Sequence, residues 1–412
     1  MSSQDANACP RVLGAAWEGF ILRASKAIVA TAAAVGSVLL AAGCASSSSS
    51  SPAAAAAGGS TSSSSSSSTT DWSTATSATA GGGMTALIAA AKKEGHLNVI
   101  TLPDDWANYG TIMKDFTAKY GIQITDENPD GTSQDELNAI QQTKGQSRAP
   151  DVVDVGTAFA AKGQAAGDWA PYEVATWSDI PATSKEPTGL YYADYGGYVA
   201  IGYDTSRVKT PPTSFKSLLT GPYKNMVALN GSPTQAGAAF AGVYAAALAN
   251  GGSFGDIAPG VSYFKQLKQA GNFVPVTGSA STMESGQTPI LIWWDYLLAS
   301  EVGAKYKNLK IVIPSDANYA AYYDQAVSKY APDPAAARLW EEYLYSTEGQ
   351  NLFLDGGTRP IELPSLVSAG TEDKKAYAAL PPAPAGGITF PSIAQQDTAQ
   401  TLVTQQWPSV SS

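Results

Sequence analysis

Between Leu97 and Gly156 short apolar runs alternate with helical periodicity, and few architectures satisfy that order. Leu97 to Leu102 reads as a strand. Tyr109, Ile112, Met113, Phe116 and Tyr120 then recur on one helical face, closed by Gly121. Ile122 to Thr125 is a second strand. Ser133-Gln134-Asp135-Glu136 has the pattern of a capping box and opens a helix through Leu137 and Ile140. Asp151 to Gly156, set off by Pro150, is a third strand. A helix carrying Leu87, Ile88 and Ala91 precedes them and stops at Gly95. Strands separated by single helices need crossover connections, so the expectation is an α/β fold with a mainly parallel sheet.

A second α/β block follows. Met226 to Leu229 is a short strand, and Gly231-Ser232-Pro233-Thr234 opens an Ala-rich helix with Phe240, Val243, Tyr244 and Leu248 on one face. Pro259 starts a helix stopped by Gly271, and Pro289 to Trp294 and Leu309 to Ile313 read as strands. Asp333-Pro334 supplies an N-cap and a first-turn proline to a helix bearing Leu339, Trp340, Tyr343 and Leu344. Two Tyr-rich extended stretches, Leu190 to Tyr203 and Tyr319 to Val327, bracket this block. They predict two lobes hinged by two crossing strands.

The N-terminal portion is of another kind. Arg11, Arg23 and Lys26 precede an uncharged apolar run, Ala27 to Ala42, which ends in small residues and Cys44. That is the order of an export signal, and the run is shorter than the roughly 20 residues of a spanning helix. The Leu39-Leu40-Ala41-Ala42-Gly43-Cys44 stretch resembles a bacterial lipobox, which implies lipidation at Cys44. From Ala45 to Gly83 nearly every residue is Ser, Ala, Gly or Thr, a composition that predicts a flexible tether reaching about 30–40 Å. The net charge of −10 argues against nucleic acid as a partner. With two cysteines in the whole chain, one on each side of the cleavage site, no disulfide is expected after processing.

The lipobox, the Ala-Ala-Ala-Lys-Lys-Glu-Gly end of the first helix, the Pro-Asp-Val-Val-Asp-Val-Gly strand, Gly202 to Val208 and Ser346 to Gln350 occur in an order that resembles the extracellular solute-binding proteins of ABC importers. The resemblance is to the group related to iron(III), polyamine, thiamine and phosphonate binders. It implies a two-lobed type II periplasmic-binding-protein fold, ligand capture between lobes, and delivery to a membrane permease. The expected layout is a signal peptide over 1–43, a tether over 44–83, lobe 1 over 84–190 plus 325–412, and lobe 2 over 191–324. The protein would be a monomer held by lipid on the extracytoplasmic face of the cell membrane.

One histidine in the chain, His96, read as an exposed turn residue, excludes the usual zinc sites and leaves no Cys-His dyad or Ser-His-Asp triad. No phosphate-cradling Gly-x-x-x-x-Gly-Lys loop is present. No cofactor and no metal site are expected; a carboxylate-dependent glycoside hydrolase is the enzyme class that survives. Three places could line a cleft. Asp104, Asp105, Trp106 and Tyr109 follow the first strand, at the end where α/β proteins bind ligands. Trp293 and Asp295 share one face of a strand by alternation and could hold an ammonium group by cation–π attraction and an ion pair. The tyrosine pairs at the crossings, with Tyr192 in one and Tyr322 and Tyr323 in the other, could match the phenolate ligands of iron-binding relatives. Ser232 and Thr234, at a helix opening, suit an anion such as a phosphonate. The expected function is a non-enzymatic receptor for a polyamine-like organic cation, with iron(III) or an anion as alternatives.

Overall fold

Thirteen consecutive buried residues, Tyr192–Asp204, form the strand around which the rest of the chain is arranged. The computed structural model describes residues 70–382 and 390–411. The first block runs α1 (Met84–Glu94), β1 (His96–Ile100), α2 (Tyr109–Tyr120), β2 (Gln123–Glu127), α3 (Ser133–Thr143), β3 (Val152–Gly156), α4 (Thr157–Ala166) and β4 (Trp169–Ala170). β5 (Tyr192–Asp204) leads to α5 (Phe215–Thr220), β6 (Val227–Leu229), α6 (Gly237–Ala249), α7 (Ala258–Gln269), α8 (Ala280–Ser285), β7 (Ile290–Trp294), α9 (Asp295–Leu297) and β8 (Leu309–Val312). β9 (Ala320–Ser328) crosses back, followed by α10 (Pro334–Leu344), α11 (Thr347–Asp355), β10 (Arg359–Pro360), α12 (Leu363–Ala369), α13 (Lys374–Ala379), α14 (Ile393–Gln406) and α15 (Pro408–Ser411).

The strands form a separate parallel pair, β1 and β2, and an eight-stranded sheet that is mixed rather than mainly parallel. β1 pairs with β2, and β6 with β7, in parallel; β3, β5, β7, β8 and β9 otherwise pair antiparallel. The reason is the crossing chain: β9 returns through the first block and inserts beside β3, the place a parallel neighbour would take. β5 pairs with β9 and β10 in its first half and with β7 and β8 in its second, so one strand belongs to both lobes. Near its start the register shifts between Ala193 and Gly196. A Cβ on Gly196 would lie 2.2 Å from the Ala321 carbonyl oxygen, so glycine is required there.

Two boundaries differ from the sequence expectation. The described part of the tether, Thr70 to Gly83, is a run of turns packed on α10. Trp72, Ala75 and Ala78 are buried, and the buried Arg338 donates from Nε to Ala75 O (2.8 Å) and from Nη2 to Ser73 O (3.1 Å). A buried guanidinium needs acceptors, and this segment supplies them. The remainder of the tether, the signal segment and Cys44 lie outside the described residues. At the other end, α14 and α15 reach the second lobe. Trp407 packs 5.4 Å from Phe264, Lys268 Nζ donates to Val410 O (2.8 Å), and Gln400 Nε2 donates to Pro233 O (3.3 Å). No helix among the described residues is long and apolar enough to cross a membrane.

Candidate ligand cleft

A cavity of about 480 Å³ opens between the first block and the second, with Tyr323 of β9 between them. The loop after β1 forms one wall. It is held in backbone conformations that side chains disfavour: Thr101, Ala107 and Asn108 have φ of 61°, 48° and 71°. This loop carries Asp105 and Trp106 to the cavity. Trp106 Nε1 donates to Tyr195 Oη (2.6 Å), and its ring lies 6.3 Å from Trp293 and 5.6 Å from Tyr323. Three aromatic rings from three elements therefore meet at the cavity.

Two carboxylates form the floor. The helix α3 is capped by Thr132 with Asp135 at the third position, one residue earlier than the sequence pattern suggests. That shift frees Glu136 from capping and turns it inward, 1% exposed, where its Oε2 accepts the Asp154 backbone N–H (3.0 Å). Asp154, in the middle of β3 and 5% exposed, accepts from Tyr195 Oη (2.6 Å) and Tyr109 Oη (3.0 Å), both at Oδ2. Glu136 Oε1 and Asp154 Oδ1 have no hydrogen-bond partner among the described residues. Burial raises both carboxyls, Asp154 to about 7 and Glu136 well above the usual range; Asp154 raises Glu136 further, whereas the two phenols pull Asp154 down. At the rim Glu301 is pushed up to about 8 by burial and by Asp105, against the opposing pull of Lys305. Among the described residues, the cavity lining contains five carboxylic side chains, those of Asp105, Asp130, Glu136, Asp154 and Glu301, and no lysine or arginine. Lys305 nonetheless pairs with Asp105 at the edge.

The sequence-predicted residues divide. Asp105, Trp106, Ser232, Trp293 and Tyr323 line the cavity together. Tyr109 lies beneath it as a donor to Asp154, and Thr234 is behind Ser232, hydroxyl to hydroxyl at 2.9 Å. Asp104 is exposed and absent from the lining. Tyr192 is buried elsewhere, 5.2 Å from Trp177 and 5.0 Å from Tyr345. Asp295 is a correction: the chain turns into α9 at this residue, strand alternation ends, and its carboxylate is taken by Arg359 Nη1 (3.0 Å) and the Tyr198 N–H (2.8 Å). The Tyr322–Tyr323 pair is a second. Adjacent residues of β9 face opposite sides, so Tyr322 stacks on Phe390 (5.0 Å) in a separate cavity of about 400 Å³ behind the crossing strands. The Ala-rich helix begins at Gly237, leaving 231–236 as a loop. His96 is half-buried in β1, bonded to Thr125 Oγ1 (2.9 Å).

Sequence reasoning missed Glu136, Asp154 and Glu301. For Asp154 a signal existed: an acid inside a Val-Val-Asp-Val strand too apolar to face water. Glu136 was masked by its apparent capping role. Among the described residues no group of three or more His, Cys, Asp or Glu side chains could hold a metal ion.

With this geometry in view, comparison with known proteins gives a consistent result. The family described as bacterial extracellular solute-binding protein matches residues 147–384. Among solved structures, a ferric binding protein from Campylobacter jejuni is similar with a TM-score of 0.58 at 16% identity, covering 76% of this chain and 99% of that one. The periplasmic binding protein AfuA from Actinobacillus pleuropneumoniae, with fructose-6-phosphate bound, gives 0.56 at 16% identity, covering 76% and 98%. The spermidine/putrescine ABC transporter substrate-binding protein PotD from Streptococcus pneumoniae gives 0.52 at 16%, covering 76% and 99%. At these identities the likeness is one of fold: a two-lobed α/β binding protein. No curated protein sequence matches the chain.

Proposed function

The chain belongs to the bacterial extracellular solute-binding proteins, and we propose that it captures a small organic cation, a primary amine of the polyamine kind, for the permease of an ABC importer. The observation that carries this reading is the pair of free carboxylate oxygens, Glu136 Oε1 and Asp154 Oδ1, on a cavity without lysine or arginine in its lining. A buried carboxylate with an open oxygen is costly until a cation reaches it, and an ammonium group carries three donors. The rings of Trp106, Trp293 and Tyr323 add faces on which an alkylammonium can rest. Iron held by an adjacent tyrosine pair fits less well, because Tyr322 and Tyr323 sit on opposite sides of β9. The role is capture by closure of two lobes rather than catalysis.

Thermal melting in the presence of amines, Fe(III), thiamine, phosphonates and sugars tests the reading. An amine at 100 times its Kd should stabilise the protein by about 2.7 kcal/mol, without turnover. A shift with Fe(III) or an anion and none with any amine overturns it. We also propose lipid attachment at Cys44, which would keep the receptor on the extracytoplasmic face; a Cys44→Ser protein that stays with the membrane removes that part.

A further inference from the structure

The two walls of the cleft differ in chemistry. The first block contributes Asp105, Asp130, Glu136 and Asp154, which accept hydrogen bonds when ionised. The second contributes Asn230, Ser232, Gln235 and Ser279, neutral groups that can donate, with Glu301 set apart at the rim beside Asp105 and Lys305. The start of α6 also lies on this wall through Ala236, Gly237 and Ala238. This helix has thirteen residues, and its N-cap position is an alanine that offers no side-chain acceptor to the first-turn N–H groups. Its positive end lies on the cavity wall, where the Ala238 N–H of its first turn meets the Tyr323 hydroxyl.

An independent observation points the same way. Trp293 is on the same wall, 2% exposed, and its indole Nε1 has no acceptor among the described residues. An indole N–H can only donate, and an ammonium group has no lone pair to offer it. A ligand that is ammonium at both ends would satisfy Glu136 and Asp154 and leave this donor unpaired.

We infer that the ligand has two unlike ends, an amine at the Glu136–Asp154 floor and a hydrogen-bond-accepting oxygen at Trp293 Nε1. This rests on the organic-cation reading and narrows it from polyamines to amines that carry an oxygen tail. Trp293 is then the residue that sets specificity, because a buried donor left without its acceptor penalises any ligand that lacks one.

Calorimetric titration of the whole protein with butylamine, putrescine, aminobutanol and aminobutanoate, and with their shorter and longer homologues, tests this. The best oxygen-tailed amine should bind at least about tenfold more tightly than the alkylamine or diamine of the same length. Trp293→Phe, which keeps an aromatic face and removes the N–H, should shrink the ratio between oxygen-tailed amine and alkylamine to within about twofold; Ser232→Ala, at a half-buried position, should reduce that ratio in the same direction. Aminobutanol and aminobutanoate separate a neutral oxygen from an anionic one. Putrescine as the tightest ligand, or equal weakening of every amine by Trp293→Phe, overturns the inference while the cation reading stands. Binding of no amine at all defeats the cation reading itself.

Discussion

Asp154 and Asp295 are buried to nearly the same degree, 5% and 3% exposed, and burial raises the carboxyl of each above its ordinary value. Their surroundings are opposite. Asp295 has a guanidinium at 3.0 Å, itself stacked 3.7 Å over the Tyr198 ring, and a backbone N–H at 2.8 Å. Asp154 has two phenols on one oxygen and, among the described residues, no partner on the other. The protein completes the first site internally; under the proposed function an ammonium group of the ligand completes the second. That contrast separates a carboxylate paired between the crossing strand and β10 from the one that the proposed function assigns to the ligand, although both look alike in burial.

The contrast can be broken most forcefully at Arg359. Replacing it by methionine leaves Asp295 buried and unpaired, and should cost about 3–5 kcal/mol in urea unfolding. A loss under about 1 kcal/mol, the range of exposed ion pairs, would mean that the pair is not structural. At the other carboxylate, Asp154→Asn should weaken amine binding by about 10- to 100-fold, the loss of a charge-assisted hydrogen bond. The melting temperature of the ligand-free protein should not fall. Unchanged affinity would move the binding floor away from Asp154.

The same residue gives a pH dependence. Its carboxyl is raised from 3.8 to about 7, so over that window the native state holds a proton that the unfolded chain has released. Stability of the ligand-free protein therefore falls as pH rises from about 4 to 7, and Asp154→Asn should flatten the slope. A bound amine needs the anion, so its affinity should rise across that window. Calorimetry in buffers of different ionisation enthalpy would detect the released protons, and affinity independent of pH counts against the assignment. The smallest effect concerns how Glu136 is freed. Thr132→Ala should cost about 1 kcal/mol and speed hydrogen exchange at the Asp135 amide. Protection there that survives Thr132→Ala would return the cap to Ser133 and Glu136 to the surface role.

Much of this was legible before the structure. Helices α2 and α7 follow their apolar periodicity, and the Tyr-rich crossings are β5 and β9. Trp106, Trp293 and Tyr323, read from sequence as possible ligand contacts, meet at one cavity. The errors share a cause: each rested on a local pattern that a distant residue overrode. Asp333 occupies the N-cap of α10, yet its side chain makes no capping bond, and Glu94 from α1 accepts the Ala335 and Ala336 N–H groups instead (3.1 and 2.7 Å). Asp295 was assigned by strand alternation that ends where α9 begins.

Sequence alone determined the α/β class, the two blocks and the two crossings, because hydrophobic periodicity and turn residues act over a few neighbours and leave a direct trace in the chain. The tertiary structure decided which carboxylates are paired. Arg359 lies 64 positions from Asp295, and Tyr195 lies 41 from Asp154. A charge's partner is set by proximity in space, and the energy of a buried charge depends almost wholly on that partner.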